Sequence, residues 1–197
     1  MGAVFQSLGR TISAGVVLLV IVIVLVGVTT NSWIHVDHAW SAFFMRWLHI
    51  MSGVMWIGLL WYLNFVQVPS MPKIPDEQKP AISKVIAPAV LFWFRYAALS
   101  TVITGLLLAA MNGYLFPALL LTPPFHPIGI GMWLALIMAF NVWFLIWPNQ
   151  KKILGIVPAD ADQKKAAGRI ALFASRFNTM ASITMLYCMA AQSHGGF

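Results

Sequence analysis

The chain has 197 residues, 60% hydrophobic and only 9% charged, with a formal net charge of +7. That balance leaves too little polar surface to enclose a water-soluble core and too much apolar surface for a disordered chain, so the expected solvent is a bilayer. The positive charge sits in short loops between apolar runs, which argues for topology signals and contacts to anionic lipid and against nucleic-acid binding.

A helix crossing a bilayer core needs about 20 predominantly apolar residues. The first run to qualify, 11–30, is too long for the apolar core of a signal peptide and is followed by no A-x-A site, so it is expected to be a retained anchor. The loop after it reads "NSWIHVDHAW" and offers His35, Asp37 and His38 as candidate metal ligands. Imidazole suits copper, zinc and iron, but an HxDH spacing is a weak signal: His35 and His38 share a face only in a helical turn.

The second run, 43–66, carries His49. At helical spacing His49, Gly53, Trp56, Leu60, Asn64 and Gln67 form one stripe, with Ser52 beside it, and polar or small residues on one face of a membrane helix point into a bundle. His49 can therefore ligate a haem, hydrogen-bond a ligand or join two helices, and Trp56 lies on the same cofactor-facing stripe. A second imidazole for a haem could come only from a loop or the tail, where His126 and His194 are available.

The third run, 86–111, contains Arg95, and the fourth, 128–147, contains Asn141. The fifth, 168–191, holds Arg176, Asn178 and Cys188, the last read as packing. A charge within hydrocarbon costs about 2.5–3.5 kcal/mol on the insertion scale. Arg95 and Arg176 must therefore snorkel, or face a polar interior; no acid lies in any run to pair with them. With Asn64, Asn141 and Asn178 at similar depth, they suggest a pocket for an anionic ligand. Pro69, Pro72, Pro75, Pro88 and Pro148 are expected at the edges of the runs, where a missing N–H costs little.

If the five runs alternate, Arg10, Lys73, Lys79, Lys84, Lys151, Lys152, Lys164, Lys165 and Arg169 fall on one side, and only Arg46 opposes them. The positive-inside rule then puts the N-terminus in the cytoplasm and the C-terminus in the periplasm. The expectation is an all-α, single-domain bundle of about five transmembrane helices covering 1–197. No HExxH, P-loop, GxSxG or CxxCH motif is present, so any chemistry must come from a cofactor or a partner.

Four segments, "RWLHIMSGVMWIGLLWYLNFVQVP" (46–69), "LFWFRYAALSTVITGLLL" (91–108), "NVWFLIWPNQKKILG" (141–155) and "ASRFNTMASITMLYCMAAQSH" (174–194), together resemble the membrane domain of the bacterial membrane-bound urate hydroxylases. That resemblance implies an inner-membrane protein. It also implies a role in oxidising urate to 5-hydroxyisourate, with electrons leaving through a cytochrome c, here on another chain. A shorter likeness, "LHIMSGVMWIGLLWYL", is to the haem-binding membrane protoporphyrinogen oxidases and implies haem at His49. The expected role is thus an accessory, haem- or copper-binding subunit of a membrane redox complex. One alternative is an enzyme holding urate or a similar purine on Arg95, Arg176 and the asparagines; another is a structural or lipid-binding protein.

Overall fold

A computed structural model describes residues 2–196. It is all-helical, with no strand among the described residues. Five long helices follow one another: α1 (Leu8–Thr30), α2 (His38–Lys73), α3 (Lys79–Met111), α4 (His126–Ile153) and α5 (Ala161–His194). Two short helices, Gly2–Phe5 and Leu115–Leu119, lie outside them. The chain divides into two compact units, Met1–Ser41 and Ala42–Phe197, where the sequence suggested one domain.

In the first unit, α1 buries only Gly27. A Cβ there would stand 2.8 Å from Cε3 of Trp33, so the indole needs the glycine. Thr29 and Thr30 return their hydroxyl hydrogens to the carbonyls of Leu25 and Val26, which lets two polar residues end an apolar helix without an unpaired donor. The helix then closes on Asn31 in the left-handed conformation, φ 52°.

The second unit is a bundle of α2 to α5. α1, α2, α3 and α4 are each long and apolar enough to cross a membrane. The fifth expected span is a helix of 34 residues, but its polar side chains keep it outside that set. Its pattern is inverted: Ala167, Ala171, Ala174, Asn178, Ala181 and Ser182 are buried, while Phe173, Phe177, Met180 and Ile183 are exposed. Small residues on one face allow close backbone approach. α5 uses them to pack chiefly on α4, with Gly131 so near Cys188 that an added Cβ would meet the cysteine Cβ at 3.2 Å. Cys188 is a free, buried packing residue.

Pro72 and Pro75 lie at the end of α2 as expected, but three other prolines depart from expectation. Pro69, Pro88 and Pro148 lie within continuous helices, not at their edges. Each follows by two residues a wide π-helical turn: Tyr62–Gln67, Ile82–Ile86 and Asn141–Ile146. The reason is steric. A proline ring clashes with the carbonyl four residues earlier and offers that carbonyl no N–H. A π-turn at that position moves the carbonyl aside and lets the helix continue.

At the start of α5, Asp160 caps the helix. Its carboxylate accepts from the Gln163 N–H at 2.7 Å, and the Gln163 side chain accepts from the Asp160 N–H at 3.1 Å. Loss of such a cap costs about 0.5–2 kcal/mol. Asp160→Ala is accordingly expected to lower the thermal midpoint of detergent-solubilised protein by a few degrees, with helix content unchanged by circular dichroism.

Candidate functional site

Between α2, α3, α4 and α5, at the end away from the lysines, lies a cavity of about 830 Å³. Its apolar wall includes Leu106, Ile128, Met132, Leu136, Met185 and Met189; its polar groups include Arg46, His49, Tyr114, Gln192 and His194. Volumes of roughly 300–1,000 Å³ with a few convergent polar groups are those of small-molecule and cofactor sites.

His49 is held in one orientation. Its Nδ1 lies 2.9 Å from the carbonyl oxygen of Thr101. A carbonyl only accepts, so Nδ1 carries the hydrogen and Nε2 is left with its lone pair. Gly105, one turn beyond Thr101, makes room for the ring: a Cβ there would lie 2.7 Å from Cε1 and 3.0 Å from Nδ1 of His49. One turn away, Ser52 and Ser100 share a hydrogen bond of 2.8 Å, which fixes α2 and α3 in antiparallel register.

His194 shares the cavity and repeats the arrangement, its Nδ1 2.9 Å from the carbonyl oxygen of Ala190. His126 is an exposed first residue of α4 and is not part of the lining. Trp56 is fully buried in the core of the bundle and does not reach the cavity. Tyr114, in the turn after α3, has its pKa raised by burial, partly offset by the positive Arg46, so its phenol stays protonated and able to donate.

His35, Asp37 and His38 belong to the first unit. Asp37 accepts from the backbone N–H of Trp40 at 2.8 Å, capping α2, which His38 opens. The described residues contain no group of three His, Cys, Asp or Glu side chains placed to share a metal ion.

The inner polar residues separate into two sets. Asn141 donates to Asn178 at 2.8 Å, and Asn178 donates to the Met138 carbonyl at 2.9 Å, so these two clasp α4 to α5. Asn178 is fully buried. Asn178→Ala leaves the Asn141 amide without its acceptor, a loss of about 1–3 kcal/mol; thermal unfolding in detergent should register it more strongly than Asn149→Ala, which removes only a surface bond to the Leu145 carbonyl. Arg176 is exposed on α5 and does not join Arg95. Arg95 is buried, its guanidinium 3.4 Å from the centre of the Trp147 ring. Asn64 donates to Ser175 on α5 at 2.7 Å.

Of the residues singled out in the sequence, His49 and His194 line this cavity; Arg46, Tyr114 and Gly105 join them only through the helix register. A small, polar stripe, Ser100, Thr101, Thr104 and Gly105, was the available signal. No family model, curated protein or solved structure matches the chain.

Proposed function

We propose that this protein is a multi-pass membrane subunit of a redox complex and that its cavity holds a haem b through Nε2 of His49. The observation that carries this reading is the bond between Nδ1 of His49 and the Thr101 carbonyl, which orients the ring and leaves Nε2 unpartnered on the cavity wall. Metal-binding histidines are commonly fixed through their other nitrogen in this way.

The residues present fit the group. The wall is apolar and rich in methionine, Arg46 can pair with a carboxylate at the mouth, and His194 offers a second imidazole with its Nδ1 already engaged. Haem would supply one-electron transfer; the chain itself contributes orientation, exclusion of water and charge pairing. The same lining favours one other occupant: His49 and His194 with the Met132, Met185 and Met189 thioethers are a donor set suited to copper.

The membrane reading rests on the four apolar helices and on the inverted pattern of α5, whose large apolar residues face outward. The basic ends of the helices favour a cytoplasmic N-terminus and a bacterial inner-membrane location. The likeness to urate hydroxylases favours an oxidase or monooxygenase complex, with electrons passing to a separate cytochrome c.

The test is an optical spectrum of protein purified in mild detergent, oxidised and dithionite-reduced, with metal analysis of the same sample. Reduced haem bands at one iron per chain support the reading. Copper at one per chain without those bands moves the assignment to copper, and a colourless, metal-free protein overturns both.

A further inference from the structure

We infer that the His49 cavity is filled sideways from the bilayer, through an opening between the outer halves of α2 and α5, and that it takes amphiphilic carboxylates: an apolar body with an acidic head. This rests on the reading of the chain as a membrane protein and not on the haem, which as an apolar ring with carboxylates is one member of the class.

α2 and α5 are joined at one level and part from there. Trp61 donates to Ser182 at 3.0 Å, and Asn64 donates to Ser175 at 2.7 Å. Outward from that joint the bonds of α2 turn to another neighbour: Ser52 shares one with Ser100, and His49 meets the Thr101 carbonyl, both on α3. Over the same stretch no residue of α2, from 43 to 55, is buried. Ile50 on α2 and Leu186 on α5 line the cavity, yet they are 54% and 39% exposed. Each continues into an outward face: Met51 and Val54 near Ile50, and Ile183 and Tyr187 near Leu186, are exposed as well. Leu186 stands one turn outward of Ser182 and two turns inward of His194, so the opening runs down the flank of the bundle and is not confined to its end. In a bilayer that flank faces acyl chains, and an apolar wall continuous with them admits solutes dissolved in lipid.

The polar groups decide the head. The lining contains the cation Arg46 and no aspartate or glutamate, and the only ion pair among the described residues, Lys79 with Asp76, lies elsewhere. Arg46 stands one turn outward of His49 on α2. Its charge acts on the Tyr114 phenol, so a guanidinium and a hydroxyl donor share the outer mouth. A carboxylate, with two accepting oxygens, suits that pair, and its bonds to a guanidinium are charge-assisted and directional. A neutral head leaves Arg46 without a counter-charge. Along α3 the lining runs from Thr101 to Ala109, about 12 Å. A long-chain fatty acid seated by its head at Arg46 therefore fills the cavity and leaves the rest of its tail between Ile50 and Leu186.

The probe is palmitic acid carrying a diazirine in mid-chain, compared with the alcohol of the same chain, on the full chain in phosphatidylcholine nanodiscs. Recovery of the chain in the discs tests the membrane reading separately. Cross-links are mapped by peptide mass spectrometry in the wild type and in His49→Ala, which lacks the nitrogen proposed to hold iron. In His49→Ala the acid should label residues 102–109 and 185–190 about tenfold more than the alcohol does. Arg46→Gln, in the same background, should bring the acid down to the level of the alcohol. Leu186→Trp, which fills the opening, should also lower the acid label there and leave labelling around Phe173 and Phe177, on the outward face of α5, unchanged. The wild type separates the two readings: a haem that fills the cavity blocks the label, and a wild type without haem is labelled like His49→Ala. An acid label in His49→Ala that equals the alcohol's, is unchanged by Arg46→Gln or by Leu186→Trp, or is confined to the outward faces overturns the inference.

Discussion

Protein carrying His49→Ala is expected to purify colourless and without stoichiometric metal while remaining folded. The substitution removes the Nε2 lone pair and one hydrogen bond to the Thr101 carbonyl, and a bond of that kind contributes about 0.5–1.5 kcal/mol. The fold should survive that loss because the α2–α3 contact also rests on the Ser52–Ser100 hydrogen bond. The two readouts therefore separate. Reduced-minus-oxidised absorbance should fall to baseline, with a small change in thermal midpoint. Imidazole added at millimolar concentration should restore part of the absorbance, since the alanine leaves a ring-sized gap. If the wild type is coloured and the variant keeps the full spectrum, His49 is a joint between helices and the ligand assignment is wrong.

Gly105→Ala should reproduce much of that loss from the opposite helix. The new methyl would come within 2.7 Å of Cε1 and 3.0 Å of Nδ1, so the imidazole must swing off the Thr101 carbonyl. Overpacking of this sort costs about 1–3 kcal/mol. A ring tilted from its seat presents Nε2 in the wrong direction, so bound cofactor should drop about tenfold and its bands should shift. Gly58→Ala is the matched comparison, because an added Cβ at Gly58 meets nothing within 4 Å. It should leave the spectrum unchanged and the midpoint unchanged or slightly raised, since alanine is the better helix former. An unshifted spectrum in Gly105→Ala would show that the orientation of His49 does not govern the occupant.

Hydropathy made the helices legible, since apolar runs of bilayer length have few other uses. It reads α5 poorly because that helix turns alanines, Asn178 and Ser182 inward, and an average over the helix hides which face is which. Three of the prolines were misplaced for a related reason. Sequence shows a missing N–H at Pro69, Pro88 and Pro148, but not that a wider turn upstream absorbs it. His49 stood out because a titratable ring in an apolar run is rare. Gly105 did not, because its role is defined by the ring on α2. The inner polar set was legible as a set but not as two: only the folded bundle brings the Asn141 amide onto Asn178 and the Asn178 amide onto the Met138 carbonyl, while Asn64 and Arg95 keep unpaired atoms.

The wide turns of α2, α3 and α4 also divide the bundle mechanically. All three interrupt the regular hydrogen-bond ladder towards the lysine-rich end, whereas the His49–Thr101 and Ser52–Ser100 bonds stitch the opposite half. Compliance is concentrated where the backbone is widened, and stiffness where the cavity is. A protein docking on the lysines would bend the yielding half and transmit little displacement to the imidazole. Amide hydrogen exchange should follow the same division, faster around residues 62–67, 82–86 and 141–146 than beside Thr101.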